Sequence, residues 1–104
     1  MSETELHQKL AAEMGEISWS ELQRHFARGV LIAVAADLDL VEVAARIAGD
    51  DTGALREWMD SGRVARATDE HARRWEAAGQ AFEAVVVAPW VLAREIEQPG
   101  STPA

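Results

Sequence analysis

Val30-Leu31-Ile32-Ala33-Val34-Ala35 is followed almost at once by Leu38-Asp39-Leu40-Val41-Glu42-Val43, and these two runs decide the fold class. Residues 30–35 carry no polar side chain and are rich in β-formers, which predicts a strand covered on both faces, in the middle of a sheet. Asp39 is placed as the N-cap of a helix with Glu42 three residues on, and Leu38 and Val43 flank it as a hydrophobic staple. Leu40, Val43 and Ile47 then mark one apolar face, and Gly49 follows them as a stop. A buried strand feeding an amphipathic helix predicts an α+β domain with helices packed on a sheet.

Toward the N-terminus, Ser2-Glu3-Thr4-Glu5 reads as a capping box, Leu6, Leu10 and Met14 form one helical stripe, and Gly15 ends it. Ser18-Trp19-Ser20-Glu21 repeats the box, with Ile17 and Leu22 as staple. This predicts a second helix to about Arg28, with Trp19, Leu22 and Phe26 facing inward and Gly29 supplying a left-handed stop.

Toward the C-terminus, Asp50-Asp51-Thr52 predicts the turn and cap of a short helix through Leu55, Trp58 and Met59, closed by Ser61-Gly62. Arg63 to Ala67 reads as a weak strand, and Thr68 caps a helix whose first turn holds Asp69 and Glu70, with Ala72, Trp75 and Gly79 on its packing face. Phe82 to Leu92 reads as one final strand around Val85-Val86-Val87. Pro89 has no amide hydrogen, which argues for a sheet edge, covered either by an N-terminal helix or by the same strand of a second copy. The expected order is ααβααβαβ: a small three-stranded sheet with about five helices, one domain over residues 1–96 and a disordered tail over 97–104.

Composition narrows the function classes. The 104 residues carry a formal charge of -8 and no cysteine, which disfavours nucleic acid as a partner and removes disulfides and thiolate metal sites. Residues 1–52 hold ten acids and four bases, residues 53–104 eight acids and six bases, so any anion site belongs in the second half. With no basic, apolar leader and no apolar run near the roughly 20 residues that span a bilayer, a cytoplasmic location and no membrane partner are expected.

The stretches Trp19-Ser-Glu-Leu-Gln-Arg-His-Phe-Ala-Arg-Gly29, Leu38-Asp-Leu-Val-Glu-Val-Ala44, Val64-Ala-Arg-Ala-Thr-Asp-Glu70 and Val86-Val-Ala-Pro-Trp-Val-Leu92 resemble a bacterial family of short proteins known as domain of unknown function 2288. The resemblance spans nearly the whole chain. It implies a free-standing bacterial cytosolic domain and carries over no activity, cofactor or functional residue.

Read for chemistry, the sequence offers few handles. Asp37, Asp39, Glu42, Asp50 and Asp51 could gather around a hard cation, but capping and turn roles explain them, and no metal or cofactor is expected. His7, His25 and His71 lack metal-site spacing and read as helix-surface residues. Ser18, Ser20, Ser61 and Thr68 stand outside any nucleophile elbow, so no catalytic residue is assigned. The one concentrated segment is Arg63, Arg66, His71, Arg73 and Arg74, around a strand-to-helix junction. It could bind an anion or an acidic partner, although Asp69 and Glu70 stand four residues before Arg73 and Arg74, at ion-pair spacing. Val86, Pro89 and Trp90 are a candidate interface on the supposed edge. The expectation is a non-enzymatic protein-interaction or regulatory module in which a homodimer is allowed. The alternative is a small-anion-binding domain or small-molecule enzyme using Arg63 to Trp75.

Overall fold

The computed structural model describes residues 3–96. The expected cap at Ser2 and the tail over 97–104 lie outside the described residues. The order is α1 (Glu3–Glu13), β1 (Gly15–Ser18), α2 (Trp19–Ala27), β2 (Leu31–Val34), α3 (Leu40–Ala48), α4 (Thr52–Asp60), β3 (Val64–Arg66), α5 (Asp69–Ala78), β4 (Ala81–Val87) and β5 (Trp90–Ile96).

The chain is α+β, as expected, but its sheet has five strands in the order β1-β4-β5-β2-β3. Two readings account for the difference. Gly15 to Ser18, which reads in sequence as a helix stop, a staple residue and an N-cap, forms a short edge strand paired with β4, where Ile17 opposes Phe82. The supposed single strand Phe82 to Leu92 is the middle of a hairpin: β4 and β5 pair antiparallel from Ala81↔Ile96 to Val87↔Trp90. Pro89 sits in the turn between them and not on an edge strand, so its missing amide costs the ladder nothing, and both flanking strands are interior. Each of these strands is flanked on both sides within the sheet, so neither has an edge for an outer surface to cover.

β2 is interior, as its apolar run requires, pairing parallel with β5 and antiparallel with β3. The sheet separates two cores. Leu10, Val34, Leu40, Val43, Val64, Val85 and Leu92 cluster on one face, under α1, α3 and α4. Trp19, Leu22, Leu31, Trp75, Phe82 and Val91 cluster on the other, under α2 and α5. Strand alternation assigns the faces: Leu31 and Ala33 serve the second core, Ile32 and Val34 the first.

The helix signals hold in position and partly in chemistry. The Asp39 carboxylate accepts from the amides of Val41 and Glu42, and Asp51 accepts from that of Ala54. Ser18 precedes α2 but makes no side-chain cap; its hydroxyl meets that of Ser20 at 2.9 Å. Gly29, Gly62 and Gly79 take positive φ of 76°, 79° and 60° after α2, α4 and α5, where a side chain would be strained.

Candidate functional site

The segment Arg63 to Trp75 crosses from α4 through β3 into α5. In the β2–β3 pair, the amide of Ala35 donates to the carbonyl of Arg63, and that of Ala67 to the carbonyl of Leu31. The odd-numbered residues of this stretch therefore point their backbone groups inward to β2, while those of Val64 and Arg66 point away from it, those of the buried Val64 being covered. Side chains alternate across the sheet as well, so Arg63 and Arg66 lie on opposite faces and the arginine cluster is divided.

On the face under α5, Arg63, His71, Arg74, Trp75 and Glu95 surround a hollow of about 190 Å³ floored by Ala33, Ala65 and Ala93. His71 is held from both sides. Its backbone N–H donates to Thr68 Oγ1 at 3.2 Å, and its Nδ1 accepts from the Thr68 amide at 3.1 Å. Because Nδ1 is the acceptor, the proton of the neutral ring belongs on Nε2. The ring stacks on Trp75 at 5.1 Å and 10°. Arg74 turns away from Glu70 and meets Glu95 at 3.4 Å, and Arg63 approaches Asp37 at 3.5 Å. Each arginine of this hollow already has a carboxylate, which opposes capture of an additional anion.

On the other face, Ile47 of α3, Leu55 and Met59 of α4, and Ile32, Val64, Ala65, Arg66 and Trp90 of the sheet enclose an almost wholly apolar hollow of about 290 Å³. Met59, 59% exposed, stands at its opening. The Arg66 guanidinium lies 5.3 Å from the Trp90 ring centroid, and among the described residues it makes no ion pair. Arginine over an indole keeps its charge available while the ring shields its flat face. Arg73 is exposed and lines neither hollow.

The remaining candidates disperse. Asp37 pairs with Arg63, Asp39 and Asp51 cap helices, and among the described residues no group of three or more histidines or acids could hold a metal. His7 is not a solvated helix residue: its Nε2 lies 2.7 Å from Glu42 Oε2, and Glu42 also receives Arg46 at 2.8 Å. The hydrogen bond from His7 is the main reason the Glu42 carboxyl is held below its ordinary range, with Arg46 adding to it and partial desolvation opposing. Val86 is 57% exposed, whereas Trp90 is half-buried against the first core. The sequence reading did not single out Arg94, which donates to the Leu38 carbonyl at 2.7 Å and pairs with Glu83 across the hairpin, fastening the loop before α3. No helix among the described residues is long and apolar enough to cross a membrane.

An α+β domain with helices on both faces of a five-stranded mixed sheet and two unlike hollows is the class of protein that these observations define. The chain belongs to the family described as protein of unknown function DUF2288, whose model matches residues 5–95. It is similar to PA1075 from Pseudomonas aeruginosa, solved in solution by NMR: 40% identical, covering 96% of this chain and 93% of that one, with a TM-score of 0.80. No curated protein matches the chain.

Proposed function

We propose that this protein is a non-enzymatic interaction module that docks a partner protein on the apolar hollow between α4 and β3. One observation carries the reading: Met59, Trp90 and their neighbours form an open apolar hollow bordered by an arginine that no carboxylate engages among the described residues. Apolar binding sites with few, well-placed polar groups are the usual form of a recognition surface. On a chain with a net charge of -8, one available guanidinium beside such a hollow selects for an acidic partner group.

The anion-site alternative draws on the other hollow, where Arg63, Arg74 and His71 converge, and it is weakened by Glu95 and Asp37. A titration with inorganic phosphate or sulfate, followed by the His71 ring resonances, separates the two. Saturable shifts at His71 with none at the Met59 methyl support the alternative. A homodimer would use the exposed Val86 and Pro89 at the β4–β5 turn. Light scattering at high protein concentration decides that part, and a strict monomer removes it.

A further inference from the structure

Resting on that reading of the hollow, we infer that its occupant is the C-terminal residue of the partner chain. An apolar side chain would fill the space beside Trp90, and the terminal carboxylate of the same residue would be held by Arg66. The size of the hollow, the position of its cation and the covering of β3 converge on that assignment.

The hollow is compact. Its volume of about 290 Å³ stands at the lower end of ordinary ligand sites, so it takes one large apolar group and not a row of them. An amphipathic or proline-rich helix needs an extended groove that receives anchors at successive turns, and an added strand needs uncovered main chain. Neither is offered here: the hollow is a single space, and Val64, main chain included, is 3% exposed, so β3 presents no open ladder beside it. Capture of a chain end remains among the modes of peptide recognition. Arg66 selects which end. An amino terminus would bring one cation against another, whereas a carboxylate completes the guanidinium in a bidentate pair.

Position narrows the carboxylate further. The guanidinium lies 5.3 Å from the centroid of Trp90, a ring that itself walls the hollow, and no carboxylate engages it among the described residues. The anion must therefore stand at the rim, about one side-chain length from the group inside. A C-terminal residue meets this by construction, since its carboxylate and its side chain leave the same Cα, and binding then orders one residue of the partner instead of two. The wall that α4 contributes can yield on entry. α4 buries none of its residues, whereas each of the other helices buries at least one, and left-handed residues bracket it, Asp50 at φ 57° and Gly62 at φ 79°. An element with so few buried contacts opens locally at small cost.

The test uses N-acetylated tetrapeptides Gly-Ser-Gly-X, where X is Ala, Val, Leu, Met or Phe. Each is made with a free C-terminal carboxylate and as the C-terminal amide, titrated into the full chain and followed by NMR. At least one large apolar X should shift the Met59 methyl and the Arg66 side-chain N–H resonances saturably, with Ala the weakest. Its amide should bind at least about tenfold less tightly, because a hydrogen bond to a charged group is lost. Binding should slow amide hydrogen exchange in α4 more than in α3. Arg66→Gln should bring acid and amide to equal affinity, and Met59→Glu should abolish binding of both; the two side chains are exposed, so neither change disturbs the core. Acid and amide bound equally by the natural chain would overturn carboxylate capture and leave the docking surface standing. An amidated peptide with Asp beside X that matches the free acid would likewise overturn the chain end. Hexanoate or phenylacetate binding more tightly than any peptide would overturn it in favour of a small free acid. No shift at Met59 with any X, acid or amide, or binding indifferent to Met59→Glu, would overturn both readings. Met59 shifts that grow with protein concentration, peptide absent, would overturn a separate partner in favour of a second copy.

Discussion

His71 shows how a residue that looks chemical in sequence is occupied structurally. Its backbone N–H and its Nδ1 complete a reciprocal capping box with Thr68, and its ring covers the indole of Trp75, itself 98% buried. Thr68→Ala should cost about 1 kcal/mol in a urea melt, and Thr68→Ser should recover most of it, because only the hydroxyl acceptor is at stake. An unchanged midpoint for the alanine variant would mean that the cap is idle. Glu42 offers a pH-dependent counterpart. Its folded-state carboxyl titrates below the ordinary value, chiefly through the hydrogen bond from His7. The stability it contributes is therefore present above the ordinary glutamate pKa and is lost as pH falls through the depressed one. Glu42→Gln should consequently lose stability less steeply than the natural chain between about pH 5 and pH 3. Parallel slopes for the two proteins would remove the assignment.

Among the elements, the sheet carries a row of small residues from edge to edge. Gly15 opposes Ala84, Ala84 opposes Ala93, Ala93 opposes Ala33, and Ala33 opposes Ala65. On the α2–α5 face this row leaves room for Trp75, which meets Phe82 edge-on at 5.0 Å and Trp19 at 5.5 Å. Lengthening the buried Ala93 to Leu should crowd that aromatic group and cost about 1–3 kcal/mol; a neutral result would show the space to be slack. The row also marks the boundary of what the sequence made legible. Local signals were readable because they are short-range: Asp39 and Asp51 cap as expected, and Gly29 and Gly62 stop helices at positive φ, whereas Gly79, read as part of the packing face of α5, is in fact its left-handed stop. Pairing partners were not, because Gly15 to Ser18 has no strand pattern of its own and becomes one through β4, and because Pro89 is as suited to a hairpin turn as to an edge. The division of the arginines was readable and missed. Arg63 and Arg66 are an odd number of positions apart in a segment already assigned as a strand, so alternation alone sends them to opposite faces. The hollow on Trp90 was not readable, since its lining comes from α3, α4 and three separate strands.

For the whole molecule, the question is whether two cores on opposite sides of one sheet melt as one. Trp19 and Trp75 belong to the core under α2 and α5, whereas Trp58 and Trp90 pack against the core under α1, α3 and α4. The strands are shared: Leu92 and Val91, adjacent on β5, are buried in different cores, as are Val34 and Leu31 on β2. Loss of either core would strip one face of every interior strand, exposing apolar side chains whose backbones the other core still needs in register. Small domains coupled in this way unfold in one transition. Chains that retain only Trp75 or only Trp90, the other indoles replaced by Phe, should therefore each give a fluorescence midpoint in urea that coincides with that same variant's circular dichroism midpoint. Truncating one residue from each core, Val43→Ala and Leu22→Ala, tests the same coupling by energy. Both side chains are fully buried and lie on opposite sheet faces, so each substitution should lower the single midpoint, and the double variant should lose the sum to within about 0.5 kcal/mol. A fluorescence change at one tryptophan that precedes the other would instead show that the sheet's two faces open separately, and the hollow beside β3 would then belong to a part of the molecule with its own stability.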